Sequence, residues 1–222
     1  MKIFLDTADV DDIKKHYKTG LIDGLTTNPS LIRKSGRNPE EVYQEVKDLG
    51  IKDISMEVIG DKLNMISEGQ RLAKKFGKVA TIKVPCTRHG LMACKELTDM
   101  GVRVNVTLIF SAAQAILSAK AGAAYVSPFV GRLDDNSVAG LEVIRSICEI
   151  YAVQGVTDTQ VLSASIREVN RVSRSFHNGA SIVTMPPSVF QKMYNHILTD
   201  KGLDIFQKDY DESILASQEN DF

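Results

Sequence analysis

The run Ala80-Thr81-Ile82-Lys83-Val84-Pro85 sets a single lysine in the apolar end of a short strand. Side chains alternate along a strand, so Ile82 and Val84 share one face while Thr81 and Lys83 share the other. Pro85 cannot continue a hydrogen-bonded ladder, which puts Lys83 at the strand's C-terminal end. A desolvated lysine is costly to keep charged, and burial lowers the pKa of such an amine. In its neutral form an amine attacks a carbonyl and forms a Schiff base. For one strand taken alone, the alternative is a lysine that snorkels to the rim of a sheet.

Similar runs recur on either side of it. Ile3–Leu5 ends in Asp6-Thr7-Ala8-Asp9, a strand closing on a helix-capping signal, and Asp6 is either a cap or a chemical group. Leu21 to Thr27 leads into Asn28-Pro29, where proline suits a first helical turn and Thr26 and Asn28 share a face. Asp53–Val58 alternates with Ser55 and Glu57 on one side. Val102–Leu108 alternates with Arg103, Asn105 and Thr107 opposite the valines. Ala124–Phe129, Gln160–Ser165 and Ala180–Met185 complete eight strands, each followed by a helical pattern. The helix over 61–76 is expected to bury Leu63, Ile66, Leu72, Ala73 and Phe76.

Eight strand–helix units in 222 residues predict an α/β chain folded as one (β/α)8 TIM barrel spanning 1–222. A further C-terminal helix carries Leu203, Phe206 and Tyr210, and the polar tail from Ser217 to Phe222 is expected to fray. A hydrophobic content of 43% suffices for one substantial core. The formal net charge of -1 gives no electrostatic reason for a nucleic-acid or membrane partner, and no apolar run approaches a membrane span. Cys86, Cys94 and Cys148 are odd in number and lack metal-ligand spacing, which fits reduced thiols in the cytoplasm. The four histidines form no metal-binding cluster.

Chemistry in such barrels gathers where the strands end. Asp6, Thr26, Asn28, Glu57, Lys83, Asn105, Thr107, Ser127 and Ser165 all fall there. An amine beside carboxylates suits carbonyl chemistry through an iminium, an electron sink that lets a nearby carbon–carbon bond break. Asp6 suits the base, Glu57 the group that activates water, and Thr107 the hydroxyl that holds that water. The competing role for Glu57 is an ion pair with Lys83 inside the barrel. Arg132, Ser165 and Arg167, near a helix start, suit a phosphate, and the alternative for the two arginines is solvated surface charge. No glycine-rich nucleotide loop is present.

These motifs resemble one family. Leu25-Thr26-Thr27-Asn28-Pro29-Ser30-Leu31 is similar to the transaldolase signature, Lys83 within Thr81–Pro85 to its Schiff-base lysine, and Asn105-Val106-Thr107-Leu108-Ile109-Phe110-Ser111 to its fifth-strand motif. The short chain resembles the small transaldolases, a group of class I aldolase-like barrels that includes fructose 6-phosphate aldolases. Those aldolases carry Gln, Tyr and Ala where Glu57, Phe129 and Ser127 stand, so the resemblance implies transaldolase first, aldolase second. It implies a Schiff base on Lys83, with Asp6, Glu57 and Thr107 as its catalytic companions. Thr26, Asn28, Asn105, Ser127 and Phe129 would line the sugar site, and Arg132, Ser165 and Arg167 would hold phosphate. The implied substrates are sedoheptulose 7-phosphate or fructose 6-phosphate with glyceraldehyde 3-phosphate or erythrose 4-phosphate, in the non-oxidative pentose phosphate pathway. Neither metal nor organic cofactor is implied. Homo-oligomers, pentamers paired into decamers, are implied as well, with Leu203, Phe206 and Tyr210 docking on a neighbour or packing on their own barrel. A sugar-phosphate-binding barrel without turnover is the alternative of another class.

Overall fold

The computed structural model describes residues 1–219. Its strands are β1 (Lys2–Asp6), β2 (Gly24–Thr26), β3 (Ile54–Glu57), β4 (Ala80–Pro85), β5 (Val104–Ile109), β6 (Tyr125–Pro128), β7 (Gln160–Ser163) and β8 (Ile182–Met185). They close into a barrel in chain order, and every pairing is parallel, β8 with β1 included. The helices are α1 (Val10–Tyr17), α2 (Pro29–Ser35), α3 (Pro39–Asp48), α4 (Lys62–Phe76), α5 (Arg88–Asp99), α6 (Ala112–Lys120), α7 (Val130–Asp135), α8 (Gly140–Val153), α9 (Val169–His177), α10 (Pro187–Lys192) and α11 (Ile197–Glu219). This is the (β/α)8 architecture expected from the strand–helix alternation.

Local chemistry fixes where the helices begin. Asp9, Asn28, Asn38, Asp61, Thr87 and Ser111 each accept a hydrogen bond from a backbone N–H in the first turn that follows. Pro29 and Pro39 stand at first helical positions, where no N–H is needed.

Two apolar layers result from the alternation along the strands. The larger lies between barrel and helices and includes Leu5, Leu25, Ile54, Met56, Ile82, Val84, Val104, Val106 and Val183. The smaller comprises Phe4, Tyr125, Leu162, Ala164 and Ile182. Near it, Asp53 accepts from Thr81 Oγ1 at 2.8 Å and from Tyr125 OH at 2.6 Å, and Arg103 lies 3.3 Å from the same carboxylate. Burial, with Asp53 adding to it, pushes the Tyr125 phenol well above its usual range.

One helix face departs from expectation. Leu63 is 72% exposed, while Met65 is fully buried beside Ile66, Leu72 and Phe76. Leu63 and Phe76 stand roughly 140° apart round a helix of 3.6 residues per turn, so the buried stripe centred on Met65 and Phe76 leaves Leu63 outside.

Contacts divide the chain into two compact units, residues 1–190 and 191–222. The first contains the whole barrel. In the second, α11 starts at Ile197 and continues as helix through Ser217–Glu219, part of the tail expected to fray; the rest of that tail, 220–222, lies outside the described residues. Leu203, Phe206 and Tyr210 are each more than half exposed. Among the described residues no helix is long and apolar enough to cross a membrane.

Gly24 leaves room in β2 for the ring of Phe4 on β1, since a Cβ there would stand 2.6 Å from that ring. Gly24→Ala is therefore expected to lower unfolding stability by about 1–3 kcal/mol, the cost of overpacking, as measured by urea denaturation.

Candidate active site

Lys83 is the buried cation of the barrel, only 5% exposed. Its Nζ donates to the Thr27 carbonyl at 2.6 Å and lies 3.0 Å from Glu57 Oε2. Register explains the second contact, because Glu57 and Lys83 are direct partners across β3 and β4. The lysine does not snorkel to the rim. It is held inside by two acceptors, one neutral and one charged, and the ion pair considered as an alternative from the sequence is present.

Asp6 ends β1 on the interior side. Thr26 Oγ1 donates to Asp6 Oδ1 at 2.7 Å, and the side chain of Asp9, not Asp6, caps α1. Burial pushes the Asp6 carboxyl above the usual carboxylate range, opposed by the nearby charge of Lys83 and by the Thr26 hydrogen bond. Asn28 caps α2 through its Oδ1, which accepts from Leu31 N, so its turn role and its place in the site coexist.

On the other side of Lys83, Asn105 is fixed at both ends of its amide. Its Nδ2 donates to Ser55 Oγ at 3.2 Å, and its Oδ1 accepts from Ser127 Oγ at 2.7 Å. Two residues on, the buried Thr107 hydroxyl has no hydrogen-bond partner, alone in this among the buried side-chain polar atoms of the described residues. Leu108 follows with φ 59°, and the register between β5 and β6 shifts between Val106 and Ile109. A left-handed leucine is uncommon, and it interrupts the regular alternation expected for this strand beside Thr107.

The remaining wall comes from the ends of β6 and β7. The Phe129 ring meets Phe110 edge-on at 5.8 Å, and the Arg132 guanidinium carbon lies 4.9 Å from the Phe129 centroid. Val130 N and Gly131 N donate to Ala164 O and Ser165 O, each at 3.0 Å, which docks the start of α7 on the β7 exit. Gly131 permits that approach, because a Cβ there would stand 2.3 Å from Ser165 O. Ser165 itself has φ 58°. These bonds occupy the first N–H groups of α7. Arg167 forks onto Asp135, 2.5 Å to each oxygen, and is more than half exposed.

A cavity of about 110 Å³ opens between these groups. Asp6, Thr26, Asn28, Lys83, Thr107, Ser127, Phe129, Arg132 and Ser165 line it, nine of the residues singled out from the sequence. Glu57 and Asn105 stand behind Lys83 and Ser127 as their partners. Arg167 does not line it; its guanidinium is engaged by Asp135. Ala164 and Thr184 line it too and were missed. The signal for Thr184 was its place two residues after Ile182, on the interior face of the last strand. Among the described residues no group of three or more His, Cys, Asp or Glu side chains is arranged to hold a metal ion.

Comparison with known proteins bears on this arrangement. The profile of the Transaldolase/Fructose-6-phosphate aldolase family matches residues 3–221. The chain belongs to that family. It is 51% identical over 211 residues to the probable transaldolase of Paracoccus denitrificans, covering 95% of this chain and 96% of that one. The probable transaldolases of Ruegeria pomeroyi and Caulobacter vibrioides are 51% and 49% identical, each covering at least 94% of this chain and 96% of the relative. Among solved structures, a double variant of flavocytochrome b2 with sulfite bound matches with a TM-score of 0.61 at 13% identity, covering 84% of this chain and 56% of that one. At that identity the likeness is one of fold. The family identifies the protein as an enzyme of the transaldolase kind and implies sugar phosphates as its substrates.

The raised carboxyl of Asp6 makes a stability prediction. A group whose folded pKa lies above its unfolded value favours the folded state below the unfolded pKa and loses that advantage as pH rises through the folded one. Asp6→Asn, which cannot ionise, is therefore expected to be more stable than the unaltered chain at pH 8. The difference should shrink as pH falls towards 3.8, the ordinary carboxyl value. Urea midpoints at several pH values measure it.

Proposed function

We propose that the protein transfers a dihydroxyacetone unit between ketose phosphates and aldose phosphates through a Schiff base on Lys83. The observation that carries this reading is the contact of Lys83 with Glu57 at 3.0 Å, beside a buried Thr107 hydroxyl that no protein group satisfies. Proton transfer along that contact converts the ammonium to an amine and Glu57 to its acid. The pairing and the nucleophile are then two states of one site. The amine attacks the C2 carbonyl of fructose 6-phosphate or sedoheptulose 7-phosphate. The acid protonates the departing hydroxyl of the carbinolamine, and Thr107 holds the water that leaves.

Asp6 then takes the C4 hydroxyl proton, the C3–C4 bond breaks, and its electrons flow into the iminium to give an enamine. An aldose phosphate departs. Thr26, Asn28 and Ser127 hold the three-carbon unit, with Asn105 fixing Ser127 from behind, until the enamine attacks erythrose 4-phosphate or glyceraldehyde 3-phosphate. A raised carboxyl suits a base for a hydroxyl proton, since efficiency grows as its proton affinity approaches that of its task. Arg132 and Ser165 bind the phosphate, and Arg167 joins them as it exchanges Asp135 for the incoming anion.

Glu57 and Phe129 favour transfer over release of free dihydroxyacetone. Phe129 brings no phenol to the site, and its ring lies between Phe110 and Arg132. The protein acts in the cytoplasm, a compartment in keeping with its three free cysteines. It assembles as a homo-oligomer, a pentamer or decamer, for which the exposed Leu203, Phe206 and Tyr210 offer an apolar stripe.

The test follows sedoheptulose 7-phosphate and free dihydroxyacetone from fructose 6-phosphate, with and without erythrose 4-phosphate. Sedoheptulose 7-phosphate formed only with acceptor is expected. Abundant dihydroxyacetone without acceptor would make the protein an aldolase, and neither product would leave a binding barrel. Arg132→Ala is expected to raise KM for fructose 6-phosphate about 10- to 100-fold, the loss of one charged hydrogen-bonding group, with a smaller change in kcat.

A further inference from the structure

Thr184 is a buried hydroxyl of β8 that lines the cavity, and none of the chemistry above uses it. Its Oγ1 lies 2.8 Å from Thr26 Oγ1, which donates to Asp6 at 2.7 Å. Thr26 and Thr184 come from β2 and β8, the two strands that flank β1. Thr26 has one hydroxyl proton, and with Asp6 ionised that proton is spent on the carboxylate. The 2.8 Å contact must then be filled by the proton of Thr184. The direction is fixed: Thr184 donates to Thr26, and Thr26 to Asp6.

We infer that Thr184 is a positioning residue that sets, through Thr26, the orientation of Asp6 and the pH at which Asp6 serves as a base. The inference rests on the reading of Asp6 as the base in the function proposed above. Hydrogen bonds in series polarise one another, so a donor on Thr26 strengthens the bond Thr26 gives to the carboxylate. It also locks a hydroxyl that otherwise rotates. When Asp6 takes up a proton, that proton can be donated to Thr26. Thr26 then turns its own towards Thr184, and Thr184 turns towards the cavity. No heavy atom moves, no covalent bond other than the new O–H changes, and the proton stays on Asp6 for return to substrate.

Other charges face Asp6, and they bound the effect. Lys83 of β4 attracts it, with Glu57 of β3 paired to that lysine. Arg132 of α7 lines the same cavity, and Lys34 of α2, with Asp9 and Asp12 at the start of α1, lines the adjoining cavity that Asp6 shares. The Thr184 hydroxyl is bonded to Thr26 and to none of these groups, so a change in the titration of Asp6 on its removal reports the relay.

The experiment is the pH profile of kcat/KM for transfer from fructose 6-phosphate to erythrose 4-phosphate in the full chain. Thr184→Val removes the hydroxyl at nearly constant shape, Thr184→Ala does so without the second branch, and Thr184→Ser restores it. The acidic limb is expected to move up by about 0.2–0.6 pH unit in the valine and alanine variants, the strengthening that one hydrogen bond lends the next in series, and to return in the serine variant. A limb unmoved or displaced to lower pH in both, or a serine variant displaced as far as valine, overturns the inference. Asp6→Asn separates the two levels. If that variant keeps an unaltered profile, the reading of Asp6 as base fails; if it abolishes transfer while the valine and alanine limbs stay in place, only the role of Thr184 fails.

Discussion

A lysine enclosed in a barrel must find acceptors, because an unpaired ammonium away from water costs several kcal/mol. Here the acceptors are the Thr27 carbonyl and Glu57, and much of the interior is arranged around them. The parallel register brings Glu57 opposite Lys83 and Lys83 opposite Asn105. Asn105 is in turn fixed by Ser55 and Ser127, and Thr26 ties Asp6 to its neighbours on either side. The barrel thus supplies rigidity through backbone pairing and spends its interior side chains on polar contacts. Strand ends are the right place for such a site, since each side chain is set by a ladder that cannot shift by one residue without turning its core face outward.

The apolar layers keep that polar interior from destabilising the fold. The strand faces that meet the helices carry the larger hydrophobic cluster, and Phe4, Tyr125, Leu162, Ala164 and Ile182 form the smaller one. Polar groups at the cavity level are nearly all satisfied by one another. Thr107 is the exception, and an unsatisfied hydroxyl beside a lysine and a carboxylate is the kind of departure that functional sites tolerate.

Much of this was legible in the sequence because it is local. Alternation in Thr81–Pro85 and Val102–Leu108 gave the interior faces, and Asn28 and Asp61 marked helix starts. What escaped depends on distant parts of the chain meeting. Thr184 reads as an ordinary strand residue until β8 closes on β1 and brings it to Thr26, 158 positions away in sequence. The pairing of Arg167 with Asp135 needs the end of α7 and the connection from β7 to α9 placed side by side. The left-handed backbone at Leu108 and Ser165 has no sequence signal of the glycine kind. Leu63 was misassigned because an apolar residue in a first turn satisfies the pattern without facing the core.

The central claim is that Lys83, paired with Glu57 at rest, is the nucleophile. Incubation with fructose 6-phosphate followed by borohydride reduction, with peptide mass mapping, tests it most directly. The account predicts a reduced dihydroxyacetone adduct on the peptide that contains Lys83, absent without substrate and absent in Lys83→Met. No adduct, or an adduct on a different lysine, would contradict it.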